Sequence, residues 1–367
     1  MKKIILVILL LFLFCLLPKG FICAQDESIG QPPKEETLEA VITNILEEKE
    51  IEAMEKKQLY QKLELKVTKG FLKDKKIIIE SGNLPLANLQ KYKTGDKVAV
   101  SFGKNFEGKN SFYITDYIRR NSLFWLFAIF IILAVIIGKW RGLTSILGMM
   151  LSFVVIFVFI LPNIAKGVDP VQTAIFGALF IIPITFYLSH GFNKKTTIAV
   201  VGTIIALIIT GVLANIFVEA AKLTGFASEE AGFLQSYKPD LINMKGLLLA
   251  GIIIGVLGVL DDITISQSAI VFQLKDANPK IKLAELYQRA MNVGQDHIAS
   301  MVNTLVLVYT GAALPLLLIF INNPHPLSEI INYEIIADEV VRTLVGSIGL
   351  ILAVPVTTFV AALVAES

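Results

Sequence analysis

The stretch Gly246–Phe272, "GLLLAGIIIGVLGVLDDITISQSAIVF", decides the fold class. It is long enough to cross a hydrocarbon layer of ~30 Å as a helix of about 20 apolar residues. It also carries two adjacent carboxylates, Asp261 and Asp262. A charge at the bilayer centre costs ~2.5 kcal/mol or more, so an acid kept there faces the bundle interior and marks an ion or proton site. The pair lies about 22 Å along a straight helix from Gly246, in the last third of the span. Before it come Gly251, Gly255 and Gly258, at spacings that let another helix approach closely. After it come Thr264, Ser266, Gln267 and Ser268, unusually polar for a spanning segment. Asp262 and Ser266 share a helix face, and Asp261 points about 100° away.

Working outward, six more apolar blocks appear at roughly 123–138, 142–161, 170–188, 197–218, 298–320 and 339–363. With the first block they predict an α-helical polytopic membrane bundle of about seven spans over 121–367. Composition agrees. The chain of 367 residues is 54% hydrophobic and only 17% charged, against ~25% charged in soluble domains. A net charge of +2 gives no reason to expect nucleic acid. Both cysteines, Cys15 and Cys23, fall in the first 23 residues, so thiolate chemistry and Cys-ligated zinc are excluded elsewhere. The three histidines, His190, His297 and His325, lie in different loops, which argues against a His-based metal site.

The sixth block offers a partner face for the aspartates. Asp296, Ser300, Asn303 and Thr310 follow helical spacing, and Thr304 adjoins Asn303. A buried Asn needs partners, so the face is expected to meet Asp261 and Asp262. Asp296 alternatively caps the helix. The seventh block holds Arg342 and "AVPVTT", where Pro355 frees a backbone carbonyl. Between the fifth and sixth blocks, Leu283, Leu286, Ala290 and Met291 form an apolar stripe, predicting an amphipathic helix on the inner surface or against the bundle.

Before the bundle, residues 1–24 read as a signal peptide or an uncleaved N-terminal anchor. Lys2 and Lys3 precede a run from Ile4 to Leu17 that is short for a span. Residues 25–39 read as a linker. Residues 40–120 read as a small β-rich, OB-like extracytoplasmic domain. "KLELKV", "KIIIE", "KVAVSF" and "FYITDYI" are strand candidates, and Lys93-Thr94-Gly95-Asp96 is a tight-turn signature. Basic residues favour one set of loops. Lys139, Arg141, Lys194, Lys195, Lys275, Lys280, Lys282 and Arg289 stand against Lys166, Lys222, Lys238 and Lys245. The first set is placed in the cytoplasm, with the N-terminal domain outside and the C-terminus inside. Arg119 and Arg120 run against this rule.

Three segments resemble the YibE/F-like family of bacterial membrane proteins: "GVLGVLDDITISQSA", "NPKIKLAELYQRAMNVGQDHIASMVNTLVLVYTGAALPLL" and "INYEIIADEVVRTLVGSIGLILAVPVTT". The lead-in "GDKVAV…YITDYIRRNSLFWL" fits as well. The resemblance implies a multi-spanning integral membrane protein and names no activity. Gln295 stands where a basic residue is expected, and Asp262 adds a second carboxylate, so no residue role is carried over.

The residues themselves predict a transporter or ion-coupled permease, with the bilayer and a cation or proton as partners and no cofactor. Asp261, Asp262, Gln267, Asp296, Asn303 and Thr304 form the expected ion or proton site, and Gly251, Gly255 and Gly258 the packing face. Hard oxygen donors suit a proton or a hard cation. The alternative is a non-transporting scaffold or sensor whose outer domain docks a protein partner. An intramembrane enzyme is not expected, because no Ser/His, HExxH or GxGD-type pattern occurs.

Overall fold

The computed structural model describes residues 36–53, 56–83, 90–104, 110–237, 241–321 and 326–366. The expected signal or anchor segment, both cysteines and His325 lie outside the described residues. The chain divides into two compact units, Met1–Phe130 and Ile131–Ser367.

The first unit is built on alternation. Leu38, Ala40 and Ile42, then Leu63, Leu65 and Val67, then Ile77 and Ile79, then Val98 and Val100 all point into one core. They sit on β1 (Glu36–Ala53), β2 (Lys56–Lys69), β3 (Lys76–Ser81), β4 (Lys97–Lys104) and β5 (Asn110–Tyr117). The antiparallel sheet runs β3-β2-β1-β4-β5, and β3 also meets β5. That circular order is the OB-type barrel that the sequence predicts. The four quoted strand candidates fall on β2 to β5. β1 adds an element whose alternation holds only from Leu38 to Ile42, and it begins inside the stretch read as linker. Its register shifts between Ile42 and Asn44 and between Ile45 and Glu47. Each shift resets which side chain faces inward, so the alternation breaks.

The expected turn is present. The Asp96 carboxylate accepts from the Lys93 backbone N–H at 2.8 Å, and Gly95 has φ +95°, open to glycine and strained for other residues. Buried Gln61 clamps the following segment, accepting from the Tyr92 N–H at 2.9 Å and donating to the Tyr92 carbonyl at 3.1 Å.

The helices are α1 (Arg120–Ala165), α2 (Pro170–His190), α3 (Lys194–Ala220), α4 (Glu229–Tyr237), α5 (Met244–Ala277), α6 (Leu283–Ala312), α7 (Leu314–Ile321), α8 (Leu327–Ile330) and α9 (Glu334–Glu366). Five of them are long and apolar enough to cross a membrane, and α6 with α7 makes a sixth candidate, bent by 69°. The expected seven blocks map onto these six because the first two blocks share α1. The stretch between them, "GKWRG", has no proline, so the helix resumes after one broken residue. Lys139 has φ 51° and ψ −134°. The bend is tight enough that a Cβ on Gly142 would lie 2.0 Å from the Ala134 carbonyl oxygen.

In the second unit α3, α5 and α9 pack against one another, α2 lies on α5 and α6 lies on α9. Small residues make these approaches. A Cβ on Gly202 would meet Thr357 Oγ1 at 2.4 Å, and one on Gly349 would meet Thr210 Oγ1 at 2.0 Å. The predicted amphipathic stretch is the first part of α6 and lies against the bundle. Leu286 and Ala290 are buried with Ile198, Val271, Ala361 and Ala362.

Candidate functional site

α5 is started by Asn243, whose side chain accepts from the Gly246 N–H at 3.0 Å. From there two faces diverge. Ile252, Ile253, Val256, Leu260, Ile263, Thr264, Gln267 and Val271 are buried. Gly251, Gly255, Gly258 and Asp262 follow spacings of four, three and four on the opposite side and are exposed. Asp261 lies between these faces, half-buried, with its Oδ1 buried and without a hydrogen-bond partner. The sequence left open which aspartate meets the interior; the geometry favours Asp261.

Further polar groups follow over the next two turns of α5. Thr264, one turn after Asp261, shares a 2.7 Å hydrogen bond with Thr203 of α3. The neighbouring residue on α3, Gly202, receives Thr357 of α9, so Thr264 and Thr357 stand at one level. Gln267, one turn further along α5, is fully buried; its Nε2 donates to the Ala290 carbonyl of α6 at 2.9 Å. Gly294 makes that contact feasible. A Cβ there would meet Val354 at 2.6 Å and Gln267 at 3.0 Å. Three oxygens of this region, Asp261 Oδ1, Gln267 Oε1 and Thr357 Oγ1, are buried and have no hydrogen-bond partner among the described residues. Each such group costs ~1–3 kcal/mol relative to a satisfied one.

A second polar group lies at the other end of α9. Asp338 is buried, and Arg342 donates to Glu339 at 2.9 Å; among the described residues Asp338 Oδ1 and Arg342 Nε have no hydrogen-bond partner. Asp338 and Thr357 are 19 positions apart in sequence, about 28 Å along the helix.

The expected partner face on α6 is corrected. Asp296, Asn303 and Thr304 are exposed, and Thr304 Oγ1 donates to its own helix at the Ser300 carbonyl, 3.0 Å away. The phase of the helix explains this. Gly294 and Leu305 are the buried positions nearest this face, and Asp296 and Asn303 each lie two residues from one of them, turned by about 200°. Nor does Asp296 cap the helix, since α6 runs unbroken from Leu283 through it. The glycine stripe is likewise unfilled among the described residues. A Cβ on Gly251 or Gly258 would meet nothing within 4 Å, and on Gly255 only Tyr309 Oη at 3.6 Å. The partner that sequence reasoning missed is Thr203; Thr357 belongs to the "AVPVTT" stretch singled out in the seventh block. Thr196, Thr203 and Thr210 recur every seven residues in α3 and are all fully buried, which is the signal that marks them. Among the described residues, no three His, Cys, Asp or Glu side chains are grouped to hold a metal ion.

An apolar helix bundle with carboxylate, amide and hydroxyl groups turned inward defines a multi-spanning membrane protein. The chain belongs to the YibE/F-like protein family, whose model matches residues 126–367. No curated protein and no solved structure matches it.

Proposed function

We propose that the protein is an ion-coupled permease and that Asp261 is the carboxylate that binds its coupling cation or proton. The observation that supports this reading most is that three buried oxygens on the adjoining helices α5 and α9, Asp261 Oδ1, Gln267 Oε1 and Thr357 Oγ1, have no partner among the described residues. A purely structural bundle gains nothing from such groups, whereas a hard cation takes carboxylate, amide and hydroxyl oxygens together. In this reading Asp261 supplies the charge, Gln267 and Thr357 supply neutral donors, and the Thr203–Thr264 bond fixes α3 against α5 beside them. Asp338 with Arg342 forms the charged station at the other end of α9. The test is the reconstituted full chain in proteoliposomes under imposed proton and sodium gradients, read with pH- and sodium-sensitive dyes. Faster collapse of one gradient than in empty vesicles is expected. Equal leak for both gradients overturns the proposal.

A second reading, a membrane scaffold or sensor that docks a protein partner, draws on the open face of Gly251 and Gly258. Such a stripe suits association with a further spanning helix. It assigns no role to the unpartnered oxygens.

A further inference from the structure

A cleft of about 640 Å³ opens at the foot of the barrel. Its lining includes Lys91, Lys93, Lys97 and Arg119, with Tyr117 and, from the first turn of α1, Ser122. The one acidic side chain in the lining, Asp96, is already engaged by the Lys93 backbone N–H. Lys91 is held by Glu48, and Arg119 by Asp116 at 2.7 Å. Lys93 and Lys97 are exposed and have no ion pair among the described residues. They belong to two different segments, the 93–96 turn and the start of β4, so the turn and the strand together bring them to one cleft.

The position of the cleft along the chain identifies the ligand. Ser122 lines it, and the next residue, Leu123, begins the first apolar run. Phe124 and Trp125 follow, both exposed. Aromatic side chains at the start of a span sit at headgroup depth. A cleft one residue away from that point therefore stands at the level of lipid phosphates, where basic side chains gain from an anionic surface. The placement also gives a purpose to Arg119, which runs against the charge bias of the loops.

We propose that this cleft binds the phosphodiester headgroup of an anionic lipid, with Lys93 and Lys97 as its free cations and Arg119 and Lys91 completing the positive rim. The site anchors the barrel unit to anionic lipid and is independent of the permease reading. The experiment is native mass spectrometry of the detergent-solubilised full chain, loaded with phosphatidylglycerol or phosphatidylcholine. The wild type is expected to retain more phosphatidylglycerol. A basic side chain near an anionic membrane is worth about a fivefold factor in affinity, so Lys93→Gln/Lys97→Gln lowers retention by roughly 25-fold. A control with the same charge loss, Lys73→Gln/Lys75→Gln, lies outside the cleft lining and keeps it. Equal retention of the two lipids, equal loss in the control pair, or displacement of the lipid by excess inorganic phosphate would each overturn the assignment.

Discussion

The two units solve burial in opposite ways. The barrel keeps its charges outside and pairs several of them: Lys76 with Glu64, Lys69 with Glu39, Lys62 with Glu80. Its buried side chains are apolar apart from the clamp residue Gln61 and Ser101. The bundle reverses this. On α3, Ile208, Val212 and Ile216 face outward while Thr196, Thr203 and Thr210 are fully buried. In lipid the outward face needs no hiding, so what is placed inside reflects packing and chemistry instead of hydrophobic drive. Gln61 inside the barrel is a structural clamp; in the bundle, among the described residues, four buried oxygens, those of Asp261, Gln267, Asp338 and Thr357, have no hydrogen-bond partner.

The contrast predicts unequal costs for equal truncations. Leu65→Ala in the barrel core is expected to cost ~2–5 kcal/mol. Hydrogen exchange of barrel amides in the full chain measures it. Ile208→Ala on the outward face of α3 should leave the thermal midpoint of the micellar protein nearly unchanged. A large loss at Ile208 would break the inside-out description.

These same patterns set what the sequence could reveal. Alternation in "KLELKV" and "KVAVSF" is strict because one face meets a core and the other meets water, so those strands were legible. β1 was not, because its bulges interrupt the period. Span lengths follow from apolar runs, but the sharing of α1 by two runs depends on how one residue, Lys139, breaks the helix. Asp261, Asp262 and Gln267 stood out as costs in a hydrophobic stretch. The partners were harder to find. A polar stripe on α6 shows only which residues share a face, and the phase set by Gly294 turns that face away. The threonines of α3 each look ordinary and gain meaning only from their seven-residue repeat.

A smaller effect sharpens the bundle interior. Thr203→Val keeps the shape and removes the 2.7 Å bond to Thr264. Hydrogen bonds between spanning helices average ~0.6 kcal/mol, so a small drop in the thermal midpoint of the micellar protein is expected. A loss above about 2 kcal/mol would make that bond a main support of the bundle, contrary to its role as a local brace.

The smallest effect belongs to the barrel surface. The hydrogen bond from Arg120 holds the Glu39 carboxyl below its ordinary value, and Lys76 does the same for Glu64. A lowered carboxylate pKa adds stability above the unfolded value and loses it as pH falls through the folded one. Barrel amide protection should therefore be flat from neutral pH down to about 4 and weaken slightly below. Loss of protection already near pH 6 would contradict this assignment.

The central claim is that the inward aspartate carries the function and the outward one does not. It is tested by ion flux through proteoliposomes containing Asp261→Asn or Asp262→Asn, at matched insertion. Flux is expected to vanish in Asp261→Asn and persist in Asp262→Asn. Undiminished flux in Asp261→Asn, or its loss in Asp262→Asn alone, would contradict the account.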